Sequence, residues 1–253
     1  MNETLKTLHS LRSIHGDFSD RDVTGEDLQA ILNASMRAAN ASARQSYSII
    51  VVEDRDLMKQ LCGYAASKLL LFCVDYNRII ATAEHLGHTY TEEGIVPFVT
   101  GVVDTMLVAQ TAAIAAKSLG IDSLFTNGIH RGDMSRVYTL LDLPEKLCFP
   151  LIALLLGYPS KEPEYQKGRW TGPGVIHYSK YHPITTEEID TLIQQCDDPE
   201  VHLALSDAWR DKGFEHYHDW FFKVWTGRGG TRAGKSQMFD LLAKAGFIDS
   251  DLS

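Results

Sequence analysis

Apolar positions recur along the chain with two different periods. Between residues 24 and 38, Leu28, Ile31, Leu32 and Met36 form one stripe at helical spacing, and Thr24 with Asp27 makes a capping pattern ahead of them. The run at 47–52 is β-branched and reads as a strand, followed by a helical pattern at 54–64. Residues 68–74 are apolar from Leu69 onward, as in a central strand buried on both faces. A helix at 78–87 stops at Gly87, and a long apolar helix that begins near residue 95 closes at Leu119-Gly120. Next come a strand at 121–126, a turn at Asn127-Gly128, a helix at 135–141 and a strand at 149–156, stopped by Gly157-Tyr158-Pro159.

The texture changes after Pro159. Residues 161–183 are rich in Gly, Pro, Tyr and charge, which predicts an excursion over the surface. Helices are expected at 185–195, where Thr185 and Glu188 make a second capping box, at 201–220, and at 237–245, ended by Gly246. Strands and helices alternate without a β-α-β rhythm, so the pattern predicts an α+β fold around a central mixed β-sheet flanked by helices.

The long helix is apolar enough to raise the question of a membrane. It contains Pro97, Asp104, Gln110 and Lys117, and an Asp in mid-span costs about 2.5–3.5 kcal/mol on insertion scales. A buried central helix and no membrane partner are therefore expected. Residues 1–10 are polar, with no apolar core of a signal peptide.

Composition narrows the function classes. The 253 residues carry 24 Lys and Arg against 33 Asp and Glu, a net charge of −9, which argues against a nucleic-acid partner. The charge is uneven: residues 221–247 carry a net +4 and leave −13 on the rest. Cys62, Cys73, Cys148 and Cys196 form no C-x-x-C pair, and Cys73 lies in an apolar run, so buried thiols in a reducing cytoplasm are expected. No metal is expected either. His216 and His218 are separated by one residue and point to different faces of a helix, and His85 with His88 has no carboxylate at convincing spacing.

Residues 229–236 satisfy the phosphate-loop pattern G-x-x-x-x-G-K-[ST] behind an apolar stretch at 220–225. Only seventeen residues follow Ser236, which leaves no room for the later strand and its magnesium-binding Asp. The match reads as a basic loop. Its Arg228, Arg232 and Lys235 are candidates for holding the phosphate of a dinucleotide donor.

More chemistry lies near the N-terminus. Leu11-Arg12-Ser13-Ile14-His15 places a forked cation, a small hydroxyl and an imidazole within five residues, suited to a phosphate or a ring carbonyl. In order along the chain follow residues 38–46 (Ala-Ala-Asn-Ala-Ser-Ala-Arg-Gln-Ser), Phe72-Cys73-Val74-Asp75, the helix from Gly101 to Gly120, Leu124-Phe125-Thr126-Asn127-Gly128 and Leu156-Gly157-Tyr158-Pro159. Lys167-Gly168-Arg169 then sets two cations one small residue apart, as an anion clamp would.

This ordered series resembles the FMN-dependent nitroreductase family, nearest to its NADPH-preferring, oxygen-insensitive nitroreductase and flavin reductase branch. The resemblance runs from about residue 8 to 183 and is firmest at Arg12-Ser13-Ile14 and from Gly101 to Gly120. It implies one nitroreductase-like domain over residues 1–253, with a core at 8–183 and a divergent helical segment at 184–253. It also implies a homodimer with FMN at the subunit interface. Arg12, Ser13 and His15 are then expected at the FMN phosphate and ring edge, and Asn40 and Ser42 at the ribityl chain or ring. Phe125, Thr126, Asn127 and Gly128 are expected to line the ring, partly through backbone N–H groups, with Lys167 and Arg169 on the phosphate.

The implied activity is hydride transfer from NAD(P)H through FMN to a nitroaromatic, quinone or flavin in a ping-pong cycle, with no side chain assigned as catalytic. The alternatives are a flavin-binding carrier or regulatory protein with weak turnover, or a specialised flavin reductase of another acceptor. The chain departs from the family at four places. His15 stands where Arg or Lys is usual, Ala43 where Asn is frequent, and Asn127-Gly128 where Gly-Gly is common, while the loop at Gly63-Tyr64-Ala65 is short.

Overall fold

The uniformly apolar run becomes β2 (Lys68–Asp75), an inner strand. In the computed structural model, which describes residues 1–226 and 236–249, β2 pairs with β1 (Tyr47–Val52) on one side and β4 (Cys148–Gly157) on the other. β3 (Asp122–Thr126) completes the order β1-β2-β4-β3. All pairings between these strands are antiparallel, which corrects the expectation of a mixed sheet. β2 and β3 both run antiparallel to β4, so they share one direction, and the chain between them makes a crossover past the position that β4 fills. The one parallel pairing among the described residues is an isolated bridge between Ser13 and Ser123.

Strand alternation sorts the core into two layers. Leu69, Leu71 and Cys73 of β2, with Ala153 and Leu155 of β4, pack against Met58 and Leu61 of α3 (Arg55–Cys62) and Val137 and Tyr138 of α6 (Ser135–Leu141). Leu70, Phe72, Leu154 and Leu156 face the other way, onto Ile31 of α2 (Gly25–Ser35) and the small residues Ala109, Ala112, Ala113 and Ala116 of α5 (Ile95–Ser118). All four cysteines are buried and unbonded.

α5 lies close to the sheet because its contact residues are small. A Cβ on Gly101 would sit 2.5 Å from Val74 Cγ1, below any ordinary contact. Gly101→Ala is therefore expected to destabilise the protein by about 1–3 kcal/mol through overpacking. Thermal denaturation checks this, and an unchanged midpoint would contradict it.

The sequence predicts α5 to be buried, but one face is open. Val96, Val99, Val103, Met106 and Leu107 are exposed on the chain as described. α5 is also the one described helix long and apolar enough to cross a membrane. Its mid-helix Asp104 is 1% exposed and accepts the N–H groups of Ala41 (2.8 Å) and Ser46 (3.2 Å). That acid holds a neighbouring loop, which is why it is tolerated in an apolar helix.

Other elements follow the capping signals. α1 (Glu3–His9), absent from the sequence reading, starts at an Asn2 cap, and α4 (Asn77–His85) precedes α5. The chain divides into two compact units, Met1–Glu162 with Lys235–Ser253, and Pro163–Gly234. In the second unit α7 (Thr186–Asp197) keeps its capping box. The helix expected over 201–220 is instead α8 (Ala208–Asp211) and α9 (Tyr217–Trp220), continued by a π-turn, Phe221–Thr226. Gly213, with φ +74°, lies beyond α8, and the Asp197 carboxylate takes the Tyr217 N–H (2.8 Å) and pairs with the His216 ring (2.7 Å), which fixes the break. In the first unit, the Ser236 hydroxyl caps α10 (Gln237–Lys244) by accepting the Phe239 N–H. The rest of the phosphate-loop pattern, residues 229–235, lies outside the described residues.

Candidate flavin site

The segment bearing Arg12 runs along the outer edge of β3. Ser13 bridges Ser123, and the Ile14 N–H donates to the Ser123 carbonyl at 3.0 Å. This places Arg12 beside Asp122, the first residue of β3. Arg12 Nε donates to both Asp122 oxygens at 3.1 Å and Nη2 to one of them at 2.6 Å, while Lys117 Nζ donates to the same carboxylate at 2.6 Å. The Asp122 side chain is 3% exposed. Burial pushes its carboxyl up, but hydrogen bonds and charge from Arg12 and Lys117 outweigh burial and hold it below the usual carboxylate range.

Arg12 Nη2 also lies 2.8 Å from Glu162 Oε2, on an exposed carboxylate. Two carboxylates therefore share one guanidinium. One is buried and orients it, and the other stands in solvent where an incoming anion could replace it. Ser13 and His15 are exposed on either side of the buried Ile14.

A second group forms at the turn after β3. Thr126 is buried, and its hydroxyl accepts the Gly128 N–H at 3.0 Å, so that N–H serves the turn itself. A Cβ on Gly128 would lie 2.2 Å from the Cys62 carbonyl oxygen, so only glycine fits against the end of α3. Phe125 is half-buried and Asn127 exposed. The short loop after α3 connects the two groups, because Tyr64 packs its ring on Gly16.

The third group does not join them within the chain. Asn40 and Ser42 lie in a loop where Ser42, Ala43 and Gln45 all adopt positive φ (54°, 57° and 51°). Left-handed backbone at non-glycine residues concentrates at functional sites. The Asn40 Oδ1 atom is buried and has no hydrogen-bond partner. Asp104 anchors this loop from the middle of α5, whereas Lys117 and Asp122 mark its C-terminal end. At 1.5 Å per residue, Asp104 and Lys117 are about 20 Å apart along the helix, further than one ribityl chain reaches.

Lys167 and Arg169 lie in the second unit, both exposed. Lys167 Nζ donates to the Ala204 carbonyl at 2.6 Å, and Arg169 Nη1 to the carbonyls of Lys167 (3.2 Å) and Gly168 (2.9 Å). Arg228, Arg232 and Lys235 lie outside the described residues. Sequence reasoning singled out Arg12 but not Asp122 or Glu162. The available signal was an acid at the first position of a strand, just after the helix that ends in Lys117-Ser118.

A model of the nitroreductase family matches residues 10–158. The chain belongs to the nitroreductase family. It is an oxidoreductase, like its relatives. The NADPH-flavin oxidoreductase of Vibrio harveyi is 30% identical over 202 residues, covering 77% of this chain and 81% of that one. An FMN reductase [NAD(P)H] of Bacillus subtilis is 31% identical over 209 residues, covering 78% and 81%. The structure of B. megaterium NfrA2 superposes with a TM-score of 0.81 at 26% identity, over 98% of this chain and 99% of that one. The V. harveyi NADPH:FMN oxidoreductase complexed with NAD+ shares the fold, with a TM-score of 0.77 at 24% identity over 98% and 100%. The nitroreductase-like α+β architecture expected from the sequence is therefore the one found.

Proposed function

We propose that this nitroreductase-family protein binds FMN and passes electrons from NAD(P)H to a nitroaromatic, quinone or flavin acceptor in a ping-pong cycle, as a homodimer. The observation that carries this reading is the family match over residues 10–158, which spans Arg12, Ser13, Asn40, Ser42 and the 125–128 turn. The donor set fits the cofactor: a forked cation held by a buried acid, exposed Ser13 and His15 beside it, and a buried amide oxygen on Asn40 that lacks a partner. When bound, FMN supplies the two-electron chemistry.

The residues of this chain then bind and orient. Arg12, Ser13 and His15 hold the phosphate end. Phe125, Thr126, Asn127 and Gly128 border the ring. Asn40 and Ser42 act on a cofactor held by a second copy, because Asp104, which anchors their loop, lies about 20 Å along α5 from Lys117, which shares the Asp122 carboxylate with Arg12. The exposed apolar face of α5 is the surface on which that second copy docks. Arg228, Arg232 and Lys235 take the phosphate of the nicotinamide donor, so Ala at Arg228 and Arg232 raises the KM for NADPH and leaves that for NADH unchanged.

Glu162 competes with the cofactor phosphate for Arg12. Glu162→Gln is expected to tighten FMN binding about two- to fivefold, the scale of an exposed ion pair. Fluorescence titration with FMN and with riboflavin checks this, since riboflavin carries no phosphate and its affinity stays constant. An unchanged FMN affinity would contradict the competition.

One observation favours a carrier with weak turnover. The Gly128 N–H is engaged by Thr126, and Arg12 by two carboxylates, which leaves fewer donors for the cofactor. Initial-rate kinetics separates the two readings. Parallel double-reciprocal lines with NADPH and a quinone support the enzyme, whereas an FMN-loaded protein that oxidises no NADPH with a quinone or a nitroaromatic supports the carrier.

A further inference from the structure

Arg136 stands in the first turn of α6 and aims its whole guanidinium at backbone carbonyls. Nε donates to Gln60 (3.1 Å). Nη1 donates to Arg131 (2.5 Å) and Asp133 (2.6 Å). Nη2 donates to Leu61 (2.9 Å) and Gly128 (3.4 Å). The nearest acid in sequence, Asp133, uses its carboxylate on the Ser135 N–H and hydroxyl instead.

The five carbonyls come from two segments. Gln60 and Leu61 belong to the last turn of α3, where carbonyls lack intrahelical donors and carry the negative end of the helix dipole. Gly128, Arg131 and Asp133 belong to the turn that follows β3. One side chain therefore ties the end of α3 to the turn that carries Asn127 and Gly128. The fit between these segments is tight, because a Cβ on Gly128 would collide with the Cys62 carbonyl. The next residues of the α3 loop bear Tyr64, whose ring lies on Gly16 beside His15. The turn bordering the ring and the segment bearing Arg12 are thus both referenced to the end of α3.

We propose that Arg136 is a positioning residue of the flavin site: its planar fork fixes the 127–128 turn against α3, and so sets flavin affinity and reduction potential without touching the cofactor. This rests on the reading that the Asn127–Gly128 turn borders FMN. Lysine carries the charge but offers three donors from a single point, so it cannot serve five carbonyls arranged around a plane.

The test compares the wild type with Arg136→Lys and Arg136→Ala. Three readouts are used: FMN affinity by fluorescence quenching, the midpoint potential of the bound flavin, and amide hydrogen exchange of residues 60–64 and 126–133 without cofactor. Both variants are expected to exchange faster in those two segments, to bind FMN at least tenfold more weakly, and to show a shifted potential. A purely structural role for Arg136 lowers the melting temperature but leaves the affinity and potential of the folded protein unchanged, and that result overturns the proposal. Wild-type affinity in Arg136→Lys overturns the requirement for the fork even if Arg136→Ala fails to fold. If the wild type itself binds no FMN, the flavin reading fails and the proposal with it, whatever the exchange data show.

Discussion

Asp122→Ala is expected to lower stability by about 3–5 kcal/mol, the usual cost of removing one partner of a buried ion pair. For a chain of this size that corresponds to a fall in Tm of roughly 6–20 °C. The variant leaves Arg12 and Lys117 facing each other with their shared carboxylate gone. It also frees Arg12 from the orientation that presents it at the phosphate end, so affinity falls more for FMN than for riboflavin. The pH dependence carries a matching signature. The Asp122 carboxyl is held below its ordinary value in the folded protein, so its stabilising effect is complete above the unfolded carboxylate pKa, about 3.9. That effect is lost as the pH falls through the lowered folded value. Acid unfolding of the wild type should therefore be steeper in this range than that of Asp122→Asn, and identical acid limbs would contradict the assignment.

Val103→Arg, alone or with Val99→Arg, is expected to give a folded monomer that binds FMN more than tenfold more weakly. Val99 and Val103 are 54% and 52% exposed on the isolated chain, and surface changes of this kind usually alter folding stability by about 0.5 kcal/mol or less. In a dimer built on the α5 face, the same guanidinium meets an apolar partner surface and must be desolvated. Analytical ultracentrifugation and FMN titration read the two effects together. A variant that stays dimeric with wild-type affinity contradicts both the α5 interface and the completion of the site by a second copy.

Much of the sheet was legible because its strands are distinctive in composition. β2 is apolar at every position between its first and last residues and lies between two strands, and β1 is β-branched at four of its six positions. The direction of pairing was not legible, because periodicity fixes which face a side chain takes and says nothing of its neighbour's direction. The 201–220 segment misled for a local reason. Its helical pattern is interrupted by Asp197, a residue outside the segment, whose carboxylate captures the Tyr217 N–H.

For the candidate site, residue type and order located Arg12, Ser13, Asn40 and the 125–128 turn. They did not reveal that Arg12 is held by Asp122, since that contact spans 110 positions. Nor did they show that the Asn40 loop is anchored at the middle of α5, whereas Arg12 shares Asp122 with Lys117 at its C-terminal end. Arg136 went unnoticed because its partners are backbone carbonyls, which leave no trace in side-chain chemistry.

The central claim is that this chain carries FMN reducible by a nicotinamide nucleotide. An absorption spectrum of the purified protein, supplied with FMN and freed of excess, tests it before and after anaerobic addition of NADPH. The account predicts a protein-associated flavin band in the visible that bleaches on addition of NADPH and returns on addition of a quinone. A protein that retains no flavin, or whose flavin band is unchanged by both NADPH and NADH, would contradict it.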